Sequence, residues 1–231
     1  MDWLQAVDIY CERGSAGFWA EPVNALSNLS FIAAAIWAAA TAQARGIKAP
    51  IVWLLITMGV LIGIGSFLFH TFANRWSELA DVLPIWSFVA VFVLTAMHVI
   101  GGMPLRRVGI WAFGILGAAA TVVLFSALGE GAPTGATAPD PLNGSGQYAP
   151  ALAALVVFAV LSARRGHPGA RWIAGATGVF LLSLIFRTID RDICASLSLG
   201  THFLWHLLNG LMIGLLLQML IRTGKFTADP A

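Results

Sequence analysis

The chain has 231 residues, of which 58% are hydrophobic and 10% charged, with nine tryptophans and a mean hydropathy of +0.83. Soluble domains average roughly 45–50% apolar and about 25% charged residues, so the composition excludes a water-soluble globule, a disordered chain and a coiled coil. The 13 basic and 11 acidic residues leave a net charge of +2, scattered in ones and twos, with no basic run to engage nucleic acid.

The first 23 residues carry Asp2, Asp8, Glu12 and Glu21 and lack the basic start and short apolar core of a secretory signal. The first apolar span is therefore expected to act as the insertion signal. Seven apolar stretches follow, over approximately 24–44, 50–72, 80–100, 107–128, 148–164, 172–188 and 202–222. A helical span needs roughly 20 residues, and the fifth and sixth stretches are the shortest. Breaks fall at Arg45–Lys48, at Gly101–Pro104, in the polar stretch Gly129–Gly146 and at Arg164–Pro168. Runs such as 31–40 show none of the alternation of a membrane β-barrel. The predicted fold is an all-α membrane protein, a single seven-transmembrane-helix bundle filling residues 1–231.

Orientation follows from the basic residues in alternate connections. Nine of them (Arg45, Lys48, Arg106, Arg107, Arg164, Arg165, Arg171, Arg222, Lys225) fall on one side and four (Arg13, Arg75, Arg187, Arg191) on the other. The nine are expected in the cytoplasm, which places the N-terminus outside and the C-terminus cytoplasmic. His70 then lies at the outer end of the second span, Asp81 at the outer start of the third, and His202 and His206 at the outer start of the seventh. Ionisable groups within a span cost roughly 2.5–3.5 kcal/mol at its centre, so four at one depth point to a shared cavity.

His202 and His206 are four residues apart, on one helix face, with Cβ atoms about 5–6 Å apart. Ser66 and His70 repeat that spacing. Three histidines with one open position are the ligand set of a catalytic zinc, whereas a chance pair of core histidines would leave His70 and Asp81 unexplained. Two cysteines are too few for a thiolate-rich structural site. His98 and His167 sit at the opposite depth, and the tryptophans fit interfacial belts. Arg187, Asp190, Arg191 and Asp192 are expected to pair with one another or to cap helix ends. Gly59, Gly63 and Gly65 would permit close helix approach.

Ser66-x-x-x-His70, Asp81 and His202-x-x-x-His206 resemble the signature of the seven-helix intramembrane hydrolase superfamily that contains alkaline ceramidases and adiponectin receptors. The chain most resembles the alkaline ceramidase family. Tyr10-Cys-Glu12, Glu21-Pro-Val-Asn-Ala-Leu-Ser-Asn28, Gly65-Ser-Phe-Leu-Phe-His70, Asp81-Val-Leu-Pro84 and Ile189-Asp-Arg-Asp-Ile-Cys194 occur in the family's order and cover nearly the whole chain.

The resemblance implies hydrolysis of the amide of ceramide or a ceramide-like N-acyl lipid to a fatty acid and a sphingoid base. Zinc on His70, His202 and His206 would acidify a water toward a pKa of about 7 and polarise the carbonyl. Asp81 would relay the proton, the alternative being a helix-start residue. Ser66 would stabilise the oxyanion, the alternative being a bond back to its own helix. The family also carries a calcium site in its N-terminal segment. Here its Asp and Asn positions are lost, leaving Glu12, Glu21 and the out-of-register Asp8 to supply oxygens, with Arg13 placed to neutralise them. The predicted topology puts Cys11 and Cys194 on the outer, oxidising side, as a disulfide like that of the family's matching positions or as two buried thiols.

Three function classes compete. A transporter would place polar groups through the whole depth of the bundle, and a receptor would offer more cytoplasmic surface, so a zinc-dependent lipid amidase leads. A seven-helix lipid receptor or sensor with a non-catalytic zinc is the alternative. Short connections and the excess of Arg over Lys fit a bacterial inner-membrane protein, with its active site toward the periplasmic side and a membrane lipid as its partner. Many bacteria lack abundant ceramide, which leaves room for another N-acyl lipid.

Overall fold

Proline, asparagine and glycine interrupt the apolar runs, and helices begin and end there. The computed structural model describes residues 2–129, 140–224 and 226. They form α1 (Pro22–Ser27), α2 (Leu29–Ala44), α3 (Pro50–Phe72), α4 (Arg75–Val99) and α5 (Leu105–Gly129). A 3-10 turn (Ser145–Tyr148) then leads into α6 (Ala149–Arg164), followed by α7 (Ala170–Ile189) and α8 (His202–Thr223). Helices α1 and α2 form one rod broken at Asn28, so there are seven long helices among the described residues. Six are long and apolar enough to cross a membrane: the α1–α2 rod, α3, α4, α6 with its leading turn, α7 and α8. Of the Gly129–Gly146 connection, residues 130–139 lie outside the described residues, as does Lys225.

The expected spans are found as helices, with shifted ends. The clearest shift is at α4, which starts at Arg75 rather than near residue 80. Asn74 caps it: its side chain accepts from the Ser77 backbone N–H, while the Ser77 hydroxyl accepts from the Asn74 N–H. This capping box makes a helical turn out of the polar Arg75-Trp-Ser-Glu78, which hydropathy alone assigns to a connection. Asp81 therefore lies well inside α4 and does not cap it.

Helix α8 is the most buried and runs through the middle of the bundle against α2, α3 and α7. Small residues let the helices close up. Ala34, Ala35, Ala38 and Ala42 of α2 are buried, and a Cβ added to Gly214 of α8 would stand 3.1 Å from the Trp37 ring and 3.4 Å from Ala34. The tightest approach is between α3 and α4. A Cβ at Gly65 would fall on the carbonyl oxygen of Ala80. Pro84 has no N–H to give that carbonyl, so α4 is locally opened where Gly65 presses against it. This contact sets Ser66 beside Asp81.

Apolar side chains also cover the outside: Leu29, Ile36, Ile64, Ile110, Phe113 and Leu116 are all more than 45% exposed. A contiguous apolar exterior of this kind suits lipid, not water, and the protein is an integral membrane protein.

Candidate metal centre

The N-terminal segment closes one end of the bundle. Val7 N–H donates to the Ala73 carbonyl at 2.8 Å and Arg75 N–H to that of Gln5 at 3.1 Å, which straps residues 5–7 across the α3–α4 turn. Cys11 and Cys194 are joined as a disulfide, with Cα atoms 5.4 Å apart. Beside it, the fully buried Asp190 carboxylate accepts from the backbone N–H groups of Cys11, Thr201 and His202 at 3.1, 2.7 and 2.9 Å. Asp190 thus caps α8, as a helix-end role would have it, and aims the first turn that carries His202. The expected pairing of Arg187, Arg191 and Asp192 does not occur among the described residues; Arg187 is buried in the bundle instead.

At this end the last turn of α3 brings His70 against His202 and His206 in the first two turns of α8. All three are buried, and one ligand nitrogen from each lies within 4.8 Å of the others. The Nε2 atoms of His70 and His206 face each other at 3.1 Å. Two nitrogens each 2.0–2.1 Å from a tetrahedral zinc stand about 3.3 Å apart, so the pair is already at the spacing of ligands to one ion. His202 Nδ1 is buried without a partner, which a dry histidine core would not tolerate cheaply. Donor chemistry and geometry both fit a three-histidine metal site.

The other ring nitrogens are held from α1. His70 Nδ1 donates to Glu21 Oε2 at 2.6 Å, and His206 Nδ1 lies 2.7 Å from the Ser27 hydroxyl. Each bond fixes a tautomer that leaves Nε2 free to ligate. Tyr10 stacks on His202 with ring centroids 3.6 Å apart, and burial pushes its phenol well above the usual value, so it remains a proton donor. Burial works against the Glu21 carboxylate, but hydrogen bonds from His70 and Asn24 and the Arg13 charge outweigh it and hold its pKa below the usual range. Glu21→Gln is expected to weaken metal affinity by roughly 10- to 100-fold, read by competition with a chelator. Unchanged affinity would assign Glu21 to packing alone.

Of the residues named for calcium, Asp8, Glu12 and Glu21, two are engaged in other contacts here. Glu12 spends both oxygens, at 2.7 Å each, on the backbone N–H groups of Val23 and Asn24, capping α1. Glu21 is taken by His70, Asn24 and Arg13, whose Nε lies 2.5 Å from Oε1 and whose Nη2 donates to the His70 carbonyl at 3.0 Å. Asp8 is exposed and joins neither. The three carboxylates form no metal-ligand group among the described residues, and Arg13 stands beside Glu21.

Ser66 is buried on α3 beside Asp81, which the Gly65–Ala80 approach brings close, and it makes no bond back to its own helix such as Thr71 makes to Phe67. Asp81 Oδ1 is buried and unpartnered. Two cavities lie nearby, each about 720 Å³ with its open mouth included, and neither has a histidine of the trio in its wall. One is polar and reaches Tyr10 and Asp81. The other is apolar, with Phe88, Phe92, Phe158, Phe180 and Leu216 in its wall. Tyr148 lines both.

A family model described as Ceramidase matches residues 10–138, more than half of the chain. The chain belongs to the ceramidase family. No curated relative matches it. Membership implies a hydrolase acting on amide bonds and a lipid substrate. The match contains Glu12, Glu21, Ser66, His70 and Asp81 but stops short of His202 and His206, which the fold carries back to His70. Glu21 and Ser27, the ring-orienting residues, belong to the Glu21–Asn28 stretch that carries the resemblance, but nothing in the sequence pairs them with the histidines.

Proposed function

We propose that the protein is a zinc-dependent amidase that hydrolyses the N-acyl bond of ceramide or a ceramide-like N-acyl lipid within the membrane. The products are a fatty acid and a sphingoid base. The reading rests on one observation above all: three buried imidazoles converge as a possible metal site, and Tyr10, stacked on one of them, lines with Asp81 a polar cavity that shares Tyr148 with an apolar one.

Bound by His70, His202 and His206, zinc supplies a Lewis acid and a water acidified to near neutrality. Ser66 donates a hydrogen bond to the carbonyl oxygen as negative charge develops there. Asp81 holds the proton given up by the attacking water and returns it to the amine nitrogen as the C–N bond breaks. The apolar cavity takes the acyl chain, and Tyr148 marks where the amide crosses into the polar one.

In the orientation we propose, seven spans place the N-terminus and the site toward the outer face, periplasmic in a bacterial inner membrane, with the C-terminus in the cytoplasm. Fatty-acid release from a short-chain ceramide by detergent-solubilised protein tests the reading: turnover is expected, lost to a strong chelator and restored by zinc. Protein that holds zinc yet hydrolyses no N-acyl lipid would overturn it in favour of a sensor.

A further inference from the structure

The polar cavity beside Asp81 contains a charge that nothing in the hydrolysis uses. It is lined by Tyr10, Glu78, Asp81, Gln147, Arg187 and Arg191, among others. Arg187 of α7 is only 6% exposed. Its Nη1 donates to the Asn143 carbonyl and, at 3.5 Å, to the Ser145 hydroxyl, while its Nε has no partner. The rings of Tyr148 and Trp205 face the guanidinium at 5.5 and 5.6 Å. No carboxylate of the described residues lies within ion-pair distance of it. A guanidinium stays charged under all ordinary conditions, and a buried charge without a counter-charge is costly.

Asp81 does not supply that counter-charge, since it forms no ion pair with Arg187 and its own Oδ1 is free. The cavity therefore offers an acceptor from α4 and a separate planar donor from α7. Glu78 is neutralised by Arg75 at 3.0 Å. Arg191, in the turn just beyond the end of α7, also lines the cavity, is exposed and has no acidic partner among the described residues.

Building on the amidase reading, we propose that this cavity is the head-group subsite and that Arg187 selects N-acyl amines bearing an oxyanion next to the amide nitrogen. A carboxylate, phosphonate or sulfonate there pairs with the planar guanidinium, while the amide nitrogen faces Asp81 and the acyl chain runs into the apolar cavity past Tyr148. Arg191 at the mouth attracts the anion.

Two amides with the same acyl chain test this, N-lauroylglycine and the neutral N-lauroylethanolamine. The zinc-loaded parent is expected to favour the glycine amide in kcat/KM by roughly 10- to 100-fold, the value of one or two charge-assisted hydrogen bonds. Arg187→Gln is expected to erase that preference, chiefly through KM, and Arg187→Lys to keep part of it. A second readout needs no turnover: binding of each amide to zinc-stripped protein, followed by tryptophan fluorescence, should show the same preference and the same dependence on Arg187. Should Arg187→Gln fail to fold, the exposed Arg191→Gln still decides, with a smaller, salt-sensitive loss of preference expected and no loss overturning the proposal. Equal handling of the two amides by the parent, or an equal loss for both in Arg187→Gln, would overturn it and leave Arg187 as a brace for the Asn143–Ser145 turn. If the parent hydrolyses neither amide nor ceramide, the amidase reading fails by itself, while Arg187-dependent binding of N-lauroylglycine would still uphold the head-group assignment.

Discussion

Replacing His206 with alanine is expected to strip the protein of its metal and abolish turnover. The parent should purify with close to one zinc per chain; the variant should hold little. His206 is tightly built into the site, with Nε2 3.1 Å from its counterpart on His70 and Nδ1 2.7 Å from the Ser27 hydroxyl. A catalytic zinc keeps three protein ligands and one open position, so losing one imidazole leaves too few to hold the ion. Alanine also leaves a gap at a buried position, and Ser27→Ala controls for that. It removes a partner of the same ring without removing the ligand, and is expected to weaken metal binding by roughly 10- to 100-fold while the fold persists. Full zinc content in His206→Ala, measured on purified protein, would remove the three-histidine assignment.

How far such a site can be read without coordinates depends on the kind of signal each part leaves. The spans are legible because apolar runs of helical length are rare in soluble chains, and because Arg and Lys mark their ends. The i, i+4 histidines are legible for a local reason: helical geometry alone puts them on one face. His70 joins them only through a depth argument. The start of α4 is misjudged because hydropathy averages over a polar first turn that the Asn74–Ser77 capping box makes helical. The partners of the histidines leave weaker traces still. Glu21 reaches His70 across 49 residues and Ser27 reaches His206 across 179, and neither contact follows from a local period. Glu12 and Glu21 can be counted as oxygen donors from the sequence, but the contacts they make here, with two N–H groups at the start of α1, a histidine and Arg13, follow from no local pattern. The burial of Arg187 is not legible because it stands near a helix end, where an arginine ordinarily reaches water or a neighbouring carboxylate.

Asp81→Asn should lower turnover of a short-chain ceramide by roughly 10² to 10⁴ with zinc still bound, the range expected for loss of a positioned proton carrier. The substitution is nearly isosteric. An asparagine keeps the shape of the side chain, so the α3–α4 contact at Gly65 and Ala80 is left in place. It cannot take up the proton released by water. Asp81 is also no metal ligand in the His70–His202–His206 group, so metal content should not change. This separates it from His206→Ala, where metal and turnover fall together. Ser66→Ala provides the graded comparison: loss of one oxyanion donor is expected to cost roughly 10² to 10³. Rate measurements at saturating zinc, with metal content determined on the same samples, distinguish these outcomes. If Asp81→Asn hydrolyses the ceramide as fast as the parent, its free carboxylate oxygen carries no proton, and the relay must be sought among the other groups lining the polar cavity, with Glu78 the remaining carboxylate there.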